Sequence, residues 1–459
     1  MAVFLVSILL RILLAVVNRE ANDIHLNVIG YIQFEGTFVH AEDEWEGYHP
    51  KLYHATCAAM GRLFDLQSIN AAIVAFQILS ALAGVLTVYI LLRLVQMLPI
   101  RDDVRLIVFA GAALNPKSVG INTQVTNDSF VILFGTLAIY SLWRLLHTKA
   151  GLYGALLVAA VILACLSKAS GLVIFGGSVL VLVVVLFAGR SDLLARRIYL
   201  RTLLTLILLW AAIVPYFGQY YYGWKTHGNP IHSQVPTSIA PKFFEFVPDP
   251  TWRSSLGVTT LLDSWCTFRI IDLIRHPYNT LGVPIEPRHR SSLWSQLYGR
   301  THFVHFDQFP LSWADRSRFV MGLGSAILGL ALLHLFLMLV GFADGAVRAG
   351  KGVLDRGLAH LSQDFSWVMP LFLMLFAIGM LKFTYGNRDY SAMKAIYVFP
   401  AMPAFLWCFA EGCQWAVLRI AGSPRVMFCF YLWFMILIAL YAVDVTYLIS
   451  QLVGARLHS

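Results

Sequence analysis

Charge is scarce in this chain. Only 13% of its 459 residues are Asp, Glu, Lys or Arg, about half the roughly 25% of a soluble domain. That deficit, beside 58% apolar and aromatic residues and a mean hydropathy of +0.70, excludes a soluble enzyme and a disordered chain. A basic stripe is also lacking. The net charge of +9 comes from residues scattered between apolar runs, so nucleic-acid binding is a poor reading and the excess reports topology instead. The six cysteines show no CxxC and no metal-type spacing, which excludes a disulfide framework and a zinc site. Cys165, Cys408 and Cys429 sit in apolar runs as small hydrophobes. Cys57 and Cys266 could pair if they share an outer compartment. Internal repeats and low-complexity tracts are absent.

Long apolar runs are what the sequence does have. A bilayer core takes about 20 residues of helix. On that rule the chain predicts an all-α integral membrane protein with about 11 transmembrane helices, near 3–17, 71–97, 104–121, 129–146, 152–166, 171–188, 202–217, 319–342, 367–383, 392–410 and 426–449. No small-residue cleavage site follows the first run, so it reads as a signal anchor. Lys and Arg set the orientation. One set of short loops carries Arg101, Arg105, Arg144, Lys149, Arg190, Arg196, Arg197, Arg201, Arg348, Lys351, Arg356, Arg419 and Arg425. The opposite set carries only Arg19, Lys51, Arg62, Lys117, Lys168 and Arg388. The richer set is cytoplasmic, which puts the amino terminus inside and, for an odd count, the carboxyl terminus outside. Residues 1–459 form one membrane domain with a large outward first loop, 18–70, and a long outward loop before the eighth span, 218–318. The second is rich in Pro, Trp, Tyr and His and too long for a plain connector, so it is expected to be partly folded.

The candidate chemistry lies at the outward ends of the spans. The first loop holds Asn22-Asp23-Ile24-His25, an amphipathic stretch (Leu26, Ile29, Ile32), the acids Asp43, Glu44 and Glu46, then His49-Pro50-Lys51-Leu52-Tyr53. A carboxylate at the membrane mouth can act as a base toward a hydroxyl, because partial burial raises its pKa; a solvated acidic loop is the blander alternative. Asn115-Pro116 ends the third run, and Gln124-Val125-Thr126-Asn127-Asp128-Ser129 opens the fourth. Asp128 is either a helix cap or a second active-site acid that orients the acceptor or a metal. Lys168, in Ser167-Lys168-Ala169-Ser170-Gly171, either snorkels to the interface or meets a lipid phosphate as a point charge.

Tyr385-Gly386-Asn387-Arg388-Asp389-Tyr390 precedes Lys394-Ala395-Ile396-Tyr397-Val398-Phe399-Pro400-Ala401-Met402-Pro403. Arg388 suits bidentate phosphate binding or interfacial anchoring. The long loop contains Ser292-Leu293-Trp294-Ser295-Gln296-Leu297-Tyr298-Gly299-Arg300 and then His302-Phe303-Val304-His305-Phe306-Asp307. That last segment could bind a divalent metal, but no HExxH is present, and an aromatic, His-rich acceptor surface is the preferred reading.

The order of these motifs resembles the GT-C superfamily of polytopic membrane glycosyltransferases. The nearest likeness is to the branch of the protein O-mannosyltransferases and the aminoarabinose lipid A transferases. There an Asp-Glu or Asp-x-x-His start is followed by His-Pro-Pro-Leu before the second span, then Asn-Asp at the second outward turn. Thr-Lys-x-x-Gly, Ser-Phe-Trp-Gly-x-Phe-Gly, and a basic residue ahead of Tyr-Leu-x-Pro-x-x-Pro come after. In the first loop this chain departs from that pattern: Lys51 replaces the second proline, and Asn22-Asp23 replaces the acidic pair.

The resemblance implies an inverting transfer of a sugar from a polyprenyl-phosphate-linked donor to a hydroxyl acceptor on the outer face, the acceptor being protein, lipid or polysaccharide. By the same resemblance Asp23 and Asp128 are catalytic, and Lys168, Arg388 and Lys394 hold the donor phosphate. His25, His49, Tyr53, Trp294, His302 and His305 then line the sugar and acceptor sites. No cofactor is assigned; a divalent metal is the one candidate. The expected location is a bacterial inner membrane with a periplasmic site, or else the endoplasmic reticulum. Two rival readings stand beside it. A transporter or flippase of a lipid-linked sugar predicts ionisable residues inside spans, as at Arg11, His334 and Asp444. A catalytically inactive assembly subunit predicts no role for Asp23.

Overall fold

The computed structural model describes residues 1–21, 24–188, 192–231, 261–279, 288–306, 313, 315–386 and 393–457. Its helices are α1 Ala2–Val17, α2 His25–Gly30, α3 Leu52–Leu63, α4 Ile69–Met97, α5 Asp102–Ala113, α6 Pro116–Ile121, α7 Asp128–Thr148, α8 Gly151–Ser167 and α9 Gly171–Ala188. They continue as α10 Leu193–Phe217, α11 Tyr220–His227, α12 Leu261–Cys266, α13 Ile270–Arg275, α14 Leu293–His302, α15 Arg318–Arg356, α16 Val368–Gly386, α17 Met402–Ile420 and α18 Pro424–Leu457. Short 3-10 turns at Trp45–Tyr48, Val304–Phe306, Ala395–Tyr397 and Phe399–Ala401 punctuate the loops.

The expected eleven spans are corrected here. Among the described residues, seven helices are long and apolar enough to cross a membrane: α4, α7, α9, α10, α15, α16 and α18. They make the chain an integral membrane protein. Local chemistry explains the difference. At 16 and 17 residues, α1 and α8 fall short of the ~20 that a bilayer core takes. The run 104–121 breaks between α5 and α6, because Pro116 has no N–H and restricts Asn115 before it. Asn115 then caps α6, accepting the Ser118 N–H at 2.9 Å. The run 392–410 opens as two 3-10 turns, and α17 begins only at Met402, with Pro403 in its first turn. Glu411 and Arg419 within α17 lower its hydropathy further.

The centre of the bundle is α7. Of its apolar stretch 78% is buried, against 17% for α18, so α18 lies at the periphery. Around α7 pack α4, α8, α9, α17 and the Phe399–Ala401 turn. The closest helix crossing joins α15 and α17. A Cβ on Gly341 would lie 1.8 Å from the Cys408 carbonyl oxygen, and one on Gly412 1.8 Å from that of Leu337, so only glycine fits at both. At the end of the bundle where α7 begins, α14 packs against α6 and the Ala395–Tyr397 turn, while α3 touches α8. Those contacts gather the motifs that carry Lys117, Asp128, Lys168 and Lys394.

Candidate functional site

Three motifs that are distant in sequence meet at the start of α7. The chain leaves α8 at Ser167 and turns at once into α9. Gly171 permits the turn, since a Cβ there would stand 2.4 Å from the Ala164 carbonyl carbon. Lys168 is left extended between the helices, and its Nζ donates to Asp128 Oδ1 at 2.7 Å. Asp128 Oδ2 accepts from the Thr126 hydroxyl at 3.1 Å. The carboxylate is thus committed to Lys168 and Thr126. Asn127 adds a second tie, its Nδ2 donating to the Ser167 carbonyl at 3.2 Å. The Lys168 ammonium also lies 5.0 Å from the centre of the Tyr397 ring, a cation–π contact. Burial works against the ammonium, but the charge of Asp128, with Tyr397 and Glu46, outweighs it and raises the Lys168 pKa.

More cations converge here. Lys117 on α6 and Arg300 on α14 are buried, and Lys394 is half-buried ahead of the Ala395–Tyr397 turn. Burial lowers the Lys117 pKa to about 7, helped by the charges of Arg300 and Lys394 and opposed by Asp128. Asn115 joins the two helices by donating from Nδ2 to the Thr301 carbonyl at 2.9 Å. Arg300 Nε donates to Gln296 Oε1 at 3.2 Å. Sequence reasoning did not single out Lys117 or Arg300 as functional. The one local signal was a lysine directly after the Asn-Pro break.

The first loop lies over this cluster. His25 Nδ1 stands 2.9 Å from His54 Nε2, and the His25 and His49 ring centres are 5.9 Å apart. His49 Nε2 meets Glu46 Oε2 at 2.8 Å. Tyr53 hydrogen-bonds Ser80 at 3.1 Å and packs edge-on against Phe130 at 5.1 Å, which docks α3 on α7 beside Asp128. Burial, reinforced by Lys168 and His25 and opposed by Glu46, lowers the His49 pKa. His54 falls well below the imidazole range through burial and the charges of His25, Lys51 and His49. Lys51 donates to the Gly47 carbonyl at 2.6 Å, and burial takes its pKa to about 7 against the pull of Glu46 and Asp43. Glu46, Lys51 and His54 therefore join His25, His49 and Tyr53 in the cluster.

Asp23 and Arg388 lie outside the described residues, as does Asp307 of the His-x-x-His-x-Asp segment. The chain on either side of Asp23 is fixed. Ala21 accepts from the Val125 N–H at 3.2 Å, Asn18 donates to the Thr123 carbonyl at 3.1 Å, and His25 is held by His54.

The other expected residues point elsewhere. Trp294 Nε1 donates to the Trp265 carbonyl at 2.7 Å. His302 hydrogen-bonds the Tyr441 hydroxyl, and its ring lies 5.2 Å from that of His334. His305 Nδ1 donates to the Trp313 carbonyl at 3.0 Å. None of these bonds runs to the Lys168–Asp128 pair. Among the described residues, no cluster of three or more His, Cys, Asp or Glu could hold a metal ion. Cys57 is a buried free thiol and Cys266 an exposed one, so the disulfide considered for them is not formed.

No protein-family description matches this chain, and no curated protein does. Among solved structures it is similar to the Archaeoglobus fulgidus oligosaccharyltransferase tethered to an acceptor peptide, at 15% identity and a TM-score of 0.45. That alignment covers 98% of this chain and 55% of the other, so this chain spans little more than half the length of that enzyme. It is also similar to ArnT from Cupriavidus metallidurans, at 14% identity over 92% of this chain and 79% of that one. The TM-scores are 0.37 for the apo state and 0.36 for the state bound to undecaprenyl phosphate.

Proposed function

We propose that the chain is a membrane glycosyltransferase that moves a sugar from a polyprenyl-phosphate-linked donor to a hydroxyl acceptor at the outer end of its helices. The observation that carries this reading is the gathering of buried Lys168, Lys117 and Arg300 with half-buried Lys394 around the Lys168–Asp128 pair, beneath a His- and carboxylate-bearing loop. Buried ammonium and guanidinium groups at the mouth of an apolar bundle suit an anionic head group on an apolar tail. A phosphate leaving from an anomeric carbon gains negative charge, and these cations oppose that charge. Losing one such contact would cost about 2.7–4 kcal/mol in the barrier, by analogy with lost oxyanion donors.

In this reading the acceptor hydroxyl approaches from the first loop. Asp23 takes its proton as the oxygen attacks the anomeric carbon from the face opposite the phosphate, which inverts that centre. His25, His49 and Tyr53 shape the sugar pocket, and Asp128 holds Lys168 in place. Arg388 belongs to the phosphate set on its sequence position alone. A periplasmic site in a bacterial inner membrane belongs to the same proposal.

Transfer of radiolabelled sugar from polyprenyl-phosphate donors, measured in membranes carrying the wild type or Asp23→Asn, tests the proposal. Activity lost in the variant at normal expression supports both the reaction and the base. Activity kept in the variant moves the base to another carboxylate. No transfer from any donor overturns the enzyme reading.

A further inference from the structure

Two ionisable groups face each other where the segment after α14 meets α18. The side chains of His305 and Asp444 are both fully buried, and His305 Nε2 stands 3.6 Å from Asp444 Oδ1. Among the described residues, neither of these two atoms has another hydrogen-bond partner. The remaining atoms of the pair fix its protonation logic. His305 Nδ1 lies 3.0 Å from the Trp313 carbonyl oxygen, which can only accept, so Nδ1 carries a hydrogen. Asp444 Oδ2 accepts the Val304 N–H at 2.8 Å. A neutral His305 therefore turns a lone pair toward Asp444, and an ionised Asp444 turns lone pairs back. Two bare acceptors held face to face in a dry interior repel. A bridging water, bent at its oxygen, holds its two acceptors about 4.5 Å apart, more than the 3.6 Å available. One additional proton removes the conflict, whichever partner carries it.

The other groups facing the pair do not supply that proton. The Tyr447 ring centre is 6.0 Å from that of His305, and its hydroxyl donates to Asp315 at 3.0 Å. Asp315 also accepts from Gln451 Nε2 at 2.6 Å. Tyr441, one turn before Asp444 on α18, holds His302. One face of α18 thus grips residues 302, 304 and 305, at the end of the helix that carries Arg300.

We propose that His305 and Asp444 share one proton, and that Asp444, through Val304, is a positioning residue that sets where Arg300 stands beside Lys117. The Arg300 role rests on the donor-phosphate reading above; the shared proton does not. An acid inside a span is thereby accounted for by a hydrogen bond rather than by a translocated charge.

Asparagine is the discriminating substitution. In Asp444→Asn the amide oxygen accepts from Val304 and the amide nitrogen donates to His305, so the shared hydrogen is built in. Two readouts follow in detergent-solubilised full-length protein: hydrogen exchange of residues 300–306, and binding of undecaprenyl phosphate. Asp444→Asn is expected to match wild type in both. Asp444→Ala is expected to lose the protection and to bind about tenfold more weakly. Arg300→Gln is expected to weaken binding alone but to add little in the Asp444→Ala background, the non-additivity of coupled residues.

An Asp444→Asn protein that fails to accumulate, or behaves like Asp444→Ala, overturns the shared proton. Full protection and unchanged binding in Asp444→Ala overturn the positioning role. If Asp444→Ala does not accumulate, His305→Ala keeps the Val304 bond; it is expected to keep Val304 protected and binding at the wild-type level, and weakened binding with Val304 still protected counts against positioning through Val304. A wild type that binds no undecaprenyl phosphate refutes the donor reading and the Arg300 role with it, while the exchange arm still decides the shared proton.

Discussion

Removing Lys168 should be among the most damaging single substitutions in the protein, and its cost can be worked from the structure. At the 2.7 Å separation of Lys168 and Asp128, with an effective dielectric of about 20, two unit charges attract by about 6 kcal/mol. Their side chains are only 10% and 2% exposed, so desolvation consumes several kcal/mol per ion and the intact pair contributes little net stability. Deleting one partner leaves the other buried without its counter-ion, which costs about 3–5 kcal/mol. The Thr126 hydroxyl remains on Asp128 and places Lys168→Ala toward the lower end of that range. Asp128→Ala should cost a similar amount. The pair Asp128→Leu with Lys168→Met should cost much less than the sum of the single losses, because no charge is stranded. Reversible unfolding in mixed SDS–detergent micelles measures all of these. Single losses under about 1 kcal/mol that simply add would refute the reasoning, since they would mean that water reaches the pair. Lys168→Met should also lose undecaprenyl phosphate binding, whereas Asp128→Asn, which still offers an oxygen to Lys168, should keep it.

Other outcomes follow from the same cluster and from the packing. Lys117 titrates near 7 when the site is empty, so an anion binds it already charged below that value and must draw in a proton above it. Undecaprenyl phosphate affinity should therefore fall as pH rises from 7 to 9, by up to about tenfold per unit, and Lys117→Met should flatten the slope; a variant with an unchanged slope rules Lys117 out. Lys51, depressed to about 7 by burial, binds fewer protons folded than unfolded between about 7 and 10.5. Its contribution to stability thus rises with pH across that window, and Lys51→Met should remove that part of the pH dependence of unfolding. Gly412→Ala sets a methyl group 1.8 Å from a backbone oxygen, so α15 and α17 must separate; a loss of about 1–3 kcal/mol is expected, and an unchanged unfolding midpoint would contradict the close crossing.

The apolar runs of α4, α7, α9, α10, α15, α16 and α18 were legible in the sequence because about 20 uncharged residues in a row have few other uses. Asp128, Lys168 and Lys394 were named from the motifs, but the pairing of Lys168 with Asp128 was not. Motif order placed all of them on one side of the membrane, and the structure brings Lys168 onto Asp128 and under Tyr397. Hydropathy averaging hid the breaks. A run such as 104–121 scores as one segment, although Pro116 stops the helix within it. Lys117 was hidden for a related reason: beside such a break, a lysine reads as a topology signal until α14 brings Arg300 against it. His302 and His305 were drawn toward the acceptor surface by composition, but their partners Tyr441 and Asp444 lie about 140 positions onward. No local pattern encodes a pairing at that range.

Arg11 has a consequence for how the protein is made. It is fully buried on α1, and its guanidinium donates to the Ala113 carbonyl at 2.9 Å and the Ser118 hydroxyl at 3.0 Å, spanning the break between α5 and α6. Those acceptors are 102 and 107 residues downstream. At about 5–20 residues per second of synthesis, roughly 5–20 s pass before they emerge. During that interval the guanidinium lacks both acceptors, and Ser7 on its own helix is the partner within reach. Helix α1 is thus a late arrival in energetic terms: made before α5 and α6, and secured only when the corner between them closes over it.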